Sequence, residues 1–98
     1  VEIYDYHEVS NVVINEIICV PFTLRETKVM MAIVSETLRK EHKFDEVSQV
    51  RLAELTGIDQ SHIGTTLKKL VKCNALIIEK EVSRSFMGIN LKLTEWSK

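Results

Sequence analysis

From Ser10 onward the apolar residues Val13, Ile14, Ile17 and Ile18 recur at i, i+1, i+4 and i+5, the spacing of one helical face. Residues 1–9 carry no clear period. The helix must end before Pro21, because a proline pushes the residue ahead of it out of the helical region. Thr23-Leu-Arg-Glu26 then reads as a capping box, in which the threonine hydroxyl accepts the third helical amide and the glutamate reaches back to the cap. The helix it starts turns Val29, Met30, Ile33, Val34 and Leu38 inward and dissolves in the charged run Arg39–Lys43. Phe44–Val47 is a short extended segment. Ser48 caps a helix over Gln49–Leu55, with Val50, Leu52, Ala53 and Leu55 as its apolar residues. Gly57 breaks it by taking the positive φ of a tight turn. Asp59 caps the next helix, Gln60–Cys73, whose inward stripe is Ile63, Leu67, Leu70 and Val71, and Asn74 ends it as a left-handed cap. Beyond it the period falls to two: Leu76 and Ile78, then Ile89, Leu91 and Leu93, with Val82–Gly88 as the loop of a hairpin.

This order of helix, helix, short strand, helix, turn, helix and hairpin predicts a mainly α chain with a small β-hairpin wing, a winged helix-turn-helix. The motif needs a small residue where its two helices touch, a glycine at the turn and apolar plugs in the angle between them. Ala53, Gly57, Ile58 and Ile63 stand at those places.

Composition narrows the class. Ninety-eight residues, 45% hydrophobic and 28% charged, suit one globular domain over 1–98. The chain opens on Val1 without an initiator Met, as expected of a domain excised from a longer protein. No apolar run approaches the ~20 residues of a membrane helix, and no signal-peptide pattern is present, so the expectation is a cytoplasmic protein without a membrane partner. Cys19 and Cys73 form no metal pattern and read as reduced, half-buried thiols. His7, His42 and His62 share no ligand spacing, so no metal and no cofactor is expected. Nor do any residues suggest a nucleophile with its base or a phosphate-binding glycine loop. The chain reads as a non-enzyme.

The net charge of −1 hides an asymmetry. Residues 1–58 carry six Lys and Arg against ten Asp and Glu, whereas residues 59–98 carry seven against four. That pattern suits one acidic and one basic face, or ordinary scatter. On a helical wheel Ser61, His62, Thr65, Lys68, Lys69 and Lys72 lie opposite the apolar stripe. A recognition helix reads base edges with its amino-terminal part, which makes Gln60, Ser61, His62 and Thr65 the base-reading candidates. Lys68, Lys69 and, in the hairpin loop, Arg84 suit phosphates. Each has a plainer alternative: a solvated lysine face favoured by the helix dipole, an exposed histidine, first-turn residues beside the Asp59 cap, a solubilising loop arginine. Gly64 costs about 1 kcal/mol relative to alanine inside a helix; either a backbone or a DNA phosphate comes close there, or the position tolerates it.

Four stretches are similar to a known family: Tyr6-His-Glu-Val-Ser-Asn-Val-Val-Ile-Asn-Glu-Ile-Ile18, Thr23-Leu-Arg-Glu-Thr-Lys-Val-Met-Met-Ala-Ile33, Leu52-Ala-Glu-Leu-Thr-Gly-Ile58 and Gly88-Ile-Asn-Leu-Lys-Leu-Thr-Glu-Trp96. From about Tyr6 to Trp96 the chain resembles the N-terminal domain of phage replication protein O, the lambda-type initiators. The closing Gly-Ile-Asn with its later Glu-Trp is the most particular piece. The resemblance implies binding to repeated duplex DNA sites in a phage or prophage origin, as a homodimer, with the replicative helicase or its loader recruited through a region absent from this chain. It places the DNA contacts on the Gln60–Lys69 helix. The chain departs from the family in two ways: Asp59-Gln-Ser-His62 stands where arginines are common, and Asn74 where a glycine is usual. Two alternatives stay open, a winged-helix transcriptional regulator and a winged helix that binds proteins.

Overall fold

The computed structural model describes residues 5–97. Its elements run α1 (Tyr6–Cys19), α2 (Leu24–Glu36), a 3-10 turn (Leu38–Lys40), β1 (Asp45–Glu46), α3 (Gln49–Thr56), α4 (Gln60–Lys72), β2 (Leu76–Glu81), β3 (Arg84–Ile89) and a 3-10 turn (Leu93–Glu95). The strands form an antiparallel sheet in the order β1-β3-β2. This is the winged helix-turn-helix expected, preceded by the extra helix α1.

Local chemistry sets most boundaries. The capping box is present: Thr23 N–H donates to Glu26 Oε1 at 2.8 Å and Glu26 N–H to Thr23 Oγ1 at 3.2 Å. Ser48 Oγ accepts from Arg51 N–H at the start of α3, and Gly57 ends that helix at φ 72. Asn74 sits at φ 65, with its N–H on the Val71 carbonyl and the Ala75 N–H on the Leu70 carbonyl. Those two bonds make a Schellman cap, the left-handed helix end in which asparagine is the usual stand-in for glycine.

α1 begins earlier than its apolar period suggests. Asp5 caps it by accepting from Glu8 N–H, which adds a turn ahead of Ser10. The reading of residues 1–9 as patternless is therefore corrected from Asp5 on, and residues 1–4 lie outside the described residues. Val13 and Ile17 are buried, but Ile18 is 74% exposed. A five-residue advance of 100° steps carries Ile18 off the face that Val13 defines.

The core joins Val13 and Ile17 of α1, Met30 and Ile33 of α2, Leu52 of α3, Ile63 and Leu70 of α4, and Leu76, Met87 and Ile89 of the sheet. Val71 does not belong to it. It is 40% exposed, and Thr66 takes a buried place instead, its hydroxyl donating to the His62 carbonyl at 2.8 Å. Cys73 is buried, with its thiol on the Leu70 carbonyl, whereas Cys19 is exposed rather than half-buried.

The hairpin is the larger correction. The loop expected over Val82–Gly88 is only Val82-Ser83, because Glu81 and Arg84 are already cross-strand partners. β3 therefore ends at Ile89, where the second strand was expected to begin. Leu91 and Leu93 instead belong to a closing segment whose 3-10 turn returns Trp96 to the body of the molecule. Trp96 Nε1 donates to the Asn90 carbonyl at 2.8 Å, and its ring lies 6.0 Å from that of Phe22.

Candidate nucleic-acid interface

The Thr56 hydroxyl holds the turn between α3 and α4 by accepting from Ile58 N–H at 3.2 Å and donating to the Leu52 carbonyl at 2.7 Å. Asp59 then starts α4, accepting from both the amide and the hydroxyl of Ser61, at 2.9 and 2.8 Å. The amide, with the hydroxyl behind it, holds the Asp59 carboxyl below the usual carboxylate range. Ile63, Leu67 and Leu70 anchor the helix in the core, which turns Gln60, Ser61, His62, Thr65, Lys68, Lys69 and Lys72 out to solvent. Five of the six α4 candidates of the sequence, Ser61, His62, Thr65, Lys68 and Lys69, therefore share one exposed face, while Gln60 is exposed at the start of the helix on the side of Leu67. Ser61 differs from the rest in that its hydroxyl proton is committed to Asp59, which leaves it only acceptor capacity.

That face is a ridge between two grooves. On one side a groove of about 510 Å³ runs between α4 and the wing, with Lys68 and Lys72 on one bank and Lys80 of β2 on the other. On the other side a groove of about 380 Å³ carries His62, Thr65 and Lys69 opposite Arg25 at the start of α2. Among the described residues the ion pairs lie elsewhere: Glu36 with Lys40 and Arg51, Arg51 with Glu54, and His42 with Asp45. None of them engages Lys68, Lys69 or Lys72. Three unneutralised lysines on one helix face are what a polyanion needs.

Arg84 is not brought to this face. It opens β3 opposite Glu81, and strand alternation sets it on the side of the wing away from Ser85 and Met87, which line the α4 groove. Lys80 takes the place that the sequence reading gave to Arg84. The signal was available, since Lys80 is two residues beyond Ile78 and shares its face. Arg25 was also missed, although the capping box fixes it in the first turn of α2.

Gly64 lies on the floor of the wing-side groove. The nearest atoms to a Cβ placed there belong to the Gln49 side chain, Oε1 at 3.5 Å, an ordinary contact. No protein backbone comes close, so Gly64→Ala should raise stability by about 0.5–1 kcal/mol through helix propensity. Urea unfolding followed by the fluorescence of Trp96, the single tryptophan, measures it. A destabilised variant would contradict the open geometry.

Comparison with known proteins places the chain in a family. Residues 4–96 match the bacteriophage replication protein O family, a span that takes in every element from α1 to the closing 3-10 turn. The chain belongs to the phage replication protein O family. A curated relative is replication protein 15 of Enterobacteria phage phi80, 29% identical over 72 residues, which cover 74% of this chain and 24% of the relative. The match thus spans about a quarter of that relative's length. No solved structure matches. Among the described residues no helix of this replication protein O family member is long and apolar enough to cross a membrane.

Proposed function

We propose that the chain is a sequence-specific duplex-DNA-binding domain acting at a phage or prophage replication origin. The observation that carries this reading is the outward face of α4: polar at its amino-terminal end, lysine-rich beyond, and flanked by the wing. Gln60, His62 and Thr65 read base edges in the major groove, with Ser61 accepting from a base donor. Lys68 and Lys69 hold phosphates. The wing, including Arg84 and now Lys80, lies along the backbone. The work is positioning, not catalysis, and it needs no cofactor. Origin repeats bound by homodimers, in the bacterial cytoplasm, and delivery to the replicative helicase or its loader through chain outside residues 1–98 complete the proposal.

Fluorescence anisotropy with duplexes carrying repeats from the parent genome's origin, beside a scrambled duplex at two salt concentrations, tests it. Tighter binding to the repeats, weakening as salt rises, is expected. Thr65→Ala should cost discrimination more than affinity, and Lys69→Ala should lower the salt slope by about one unit. If both variants bind like the parent, α4 is not the reading helix. If the folded chain binds neither duplex, the surface serves a protein partner instead.

A further inference from the structure

The tip of the wing holds a residue that its turn does not suit. Two-residue hairpin loops need a positive φ at their first position, and glycine, asparagine or aspartate ordinarily supplies it. Here the residue is Val82, at φ 50. A β-branched side chain crowds its own backbone in that region, which makes it a true outlier rather than a tolerated exception. Val82 is also fully exposed, at 110%. It therefore bears backbone strain without gaining any burial inside the fold. The other non-glycine residues with positive φ, Glu41 and Asn74, are polar and end helical turns. An apolar residue held in a strained turn, away from all packing, is a feature to be explained by what it meets outside the molecule.

The surroundings indicate what that is. Behind the tip, Lys80 and Ser85 line the same groove as Lys68 and Lys72, so the hairpin rises beside the proposed reading helix. The tip adds no net positive charge, since Lys80 and Arg84 are matched in number by Glu79 and Glu81 within residues 79–84, so the wing's backbone contacts do not account for Val82. What a bare aliphatic side chain can do beside DNA is wedge between base pairs in the minor groove and unstack them. We propose that Val82 is such a wedge, entering the minor groove next to the major groove occupied by α4 and opening a flexible pyrimidine–purine step. This rests on the DNA-binding reading above and adds to it a local distortion of the duplex at the binding site.

The test uses the duplex that the chain enriches from a random-sequence pool, with 2-aminopurine replacing each adenine in turn. The parent chain should raise the fluorescence at one step to the side of the α4 footprint. Val82→Asn and Val82→Gly fit the turn better, so they should melt no earlier than the parent. They should nevertheless abolish the fluorescence rise and weaken binding about tenfold, the loss expected for exposing one aliphatic side chain. Val82→Leu should keep both. Salt-dependent binding by the parent with no responsive position, or Val82→Asn binding as tightly as the parent, overturns the wedge and leaves DNA binding intact. Failure of the parent to enrich any duplex overturns the DNA-binding reading, and the wedge with it.

Discussion

Asn90→Ala should lower stability by about 2–4 kcal/mol, since it removes three side-chain hydrogen bonds worth roughly 0.5–1.5 kcal/mol each, in a buried setting. Asn90 is 8% exposed, and its amide is a hub. Nδ2 donates to the Asn74 carbonyl at 2.8 Å and to Glu95 Oε1 at 3.1 Å, while Oδ1 accepts from Lys92 N–H at 3.1 Å. The first of these bonds ties the end of β3 to the cap of α4, and the others fold the closing segment back. Only an amide offers donors on one atom and an acceptor on the other. Asn90→Asp should therefore be worse than alanine, because it turns a carboxylate toward the Asn74 carbonyl and the Glu95 carboxylate. For a domain of this size the alanine loss corresponds to a melting point lower by on the order of 10–20 °C. Trp96 Nε1 bonds the Asn90 carbonyl, so tryptophan emission should shift to the red as the closing segment loosens. An alanine variant that melts within about 2 °C of the parent, a few tenths of a kcal/mol, would show that the hub is dispensable.

The same residues explain why the closing Gly88-Ile-Asn and Glu-Trp96 is so particular a stretch. Gly88 admits a neighbouring segment, Ile89 enters the core, Asn90 ties three segments together, and Glu95 and Trp96 each bond back to Asn90. The stretch was legible as a resemblance but not as geometry. Its partners lie up to sixteen residues apart in sequence, at Asn74 and Asn90, and become neighbours only after the sheet has formed.

Most features whose partners lie within five residues were legible, the Asp5 cap of α1 excepted. The capping box and the Ser48 and Asp59 caps follow from side chains hydrogen-bonding to the nearest backbone, the positive φ at Gly57 from its missing Cβ, and the left-handed Asn74 from asparagine's tolerance of that region. The hairpin did not follow, because the alternation of Leu91 and Leu93 mimics a strand and the polar start of β3 hides one. With a loop of two residues instead of seven, Arg84 becomes a strand residue facing away from the α4 groove, while Lys80 keeps the face that alternation from Ile78 gives it. The outward row of α4 was readable from the wheel, while its division into two grooves depends on where the wing and α2 dock. Val71 shows the limit of the wheel: it borders the apolar stripe, and the wing, not helical periodicity, decides that it faces a groove.

Gly88→Ala should cost about 1–3 kcal/mol by overpacking, and Gly88→Val more. A Cβ at this position would stand 2.5 Å from the Lys43 carbonyl oxygen and 2.5 Å from the Phe44 ring. Neither contact is tolerable, and they differ in kind. Phe44 is 44% exposed and can swing away, but the Lys43 carbonyl belongs to the backbone leading into β1. Moving that backbone pulls at the pairing of Asp45 with Met87, and at the bond from Val47 N–H to the Ser85 carbonyl. Val47 is buried and directly precedes Ser48, the cap of α3. The disturbance therefore reaches the helix-turn-helix from its amino-terminal side. A double-mutant cycle separates the two clashes. Phe44→Ala should recover part of the Gly88→Ala loss and leave the remainder that belongs to the carbonyl. Complete recovery would mean that the ring alone excludes a side chain. Hydrogen exchange gives the second readout: the Val47 amide, protected in the parent by its bond to β3, should exchange faster in Gly88→Ala, whereas the Leu70 amide in the middle of the core should slow or quicken only with global stability. Equal acceleration at both amides would place the damage in the whole fold rather than at the junction of β1 with the wing.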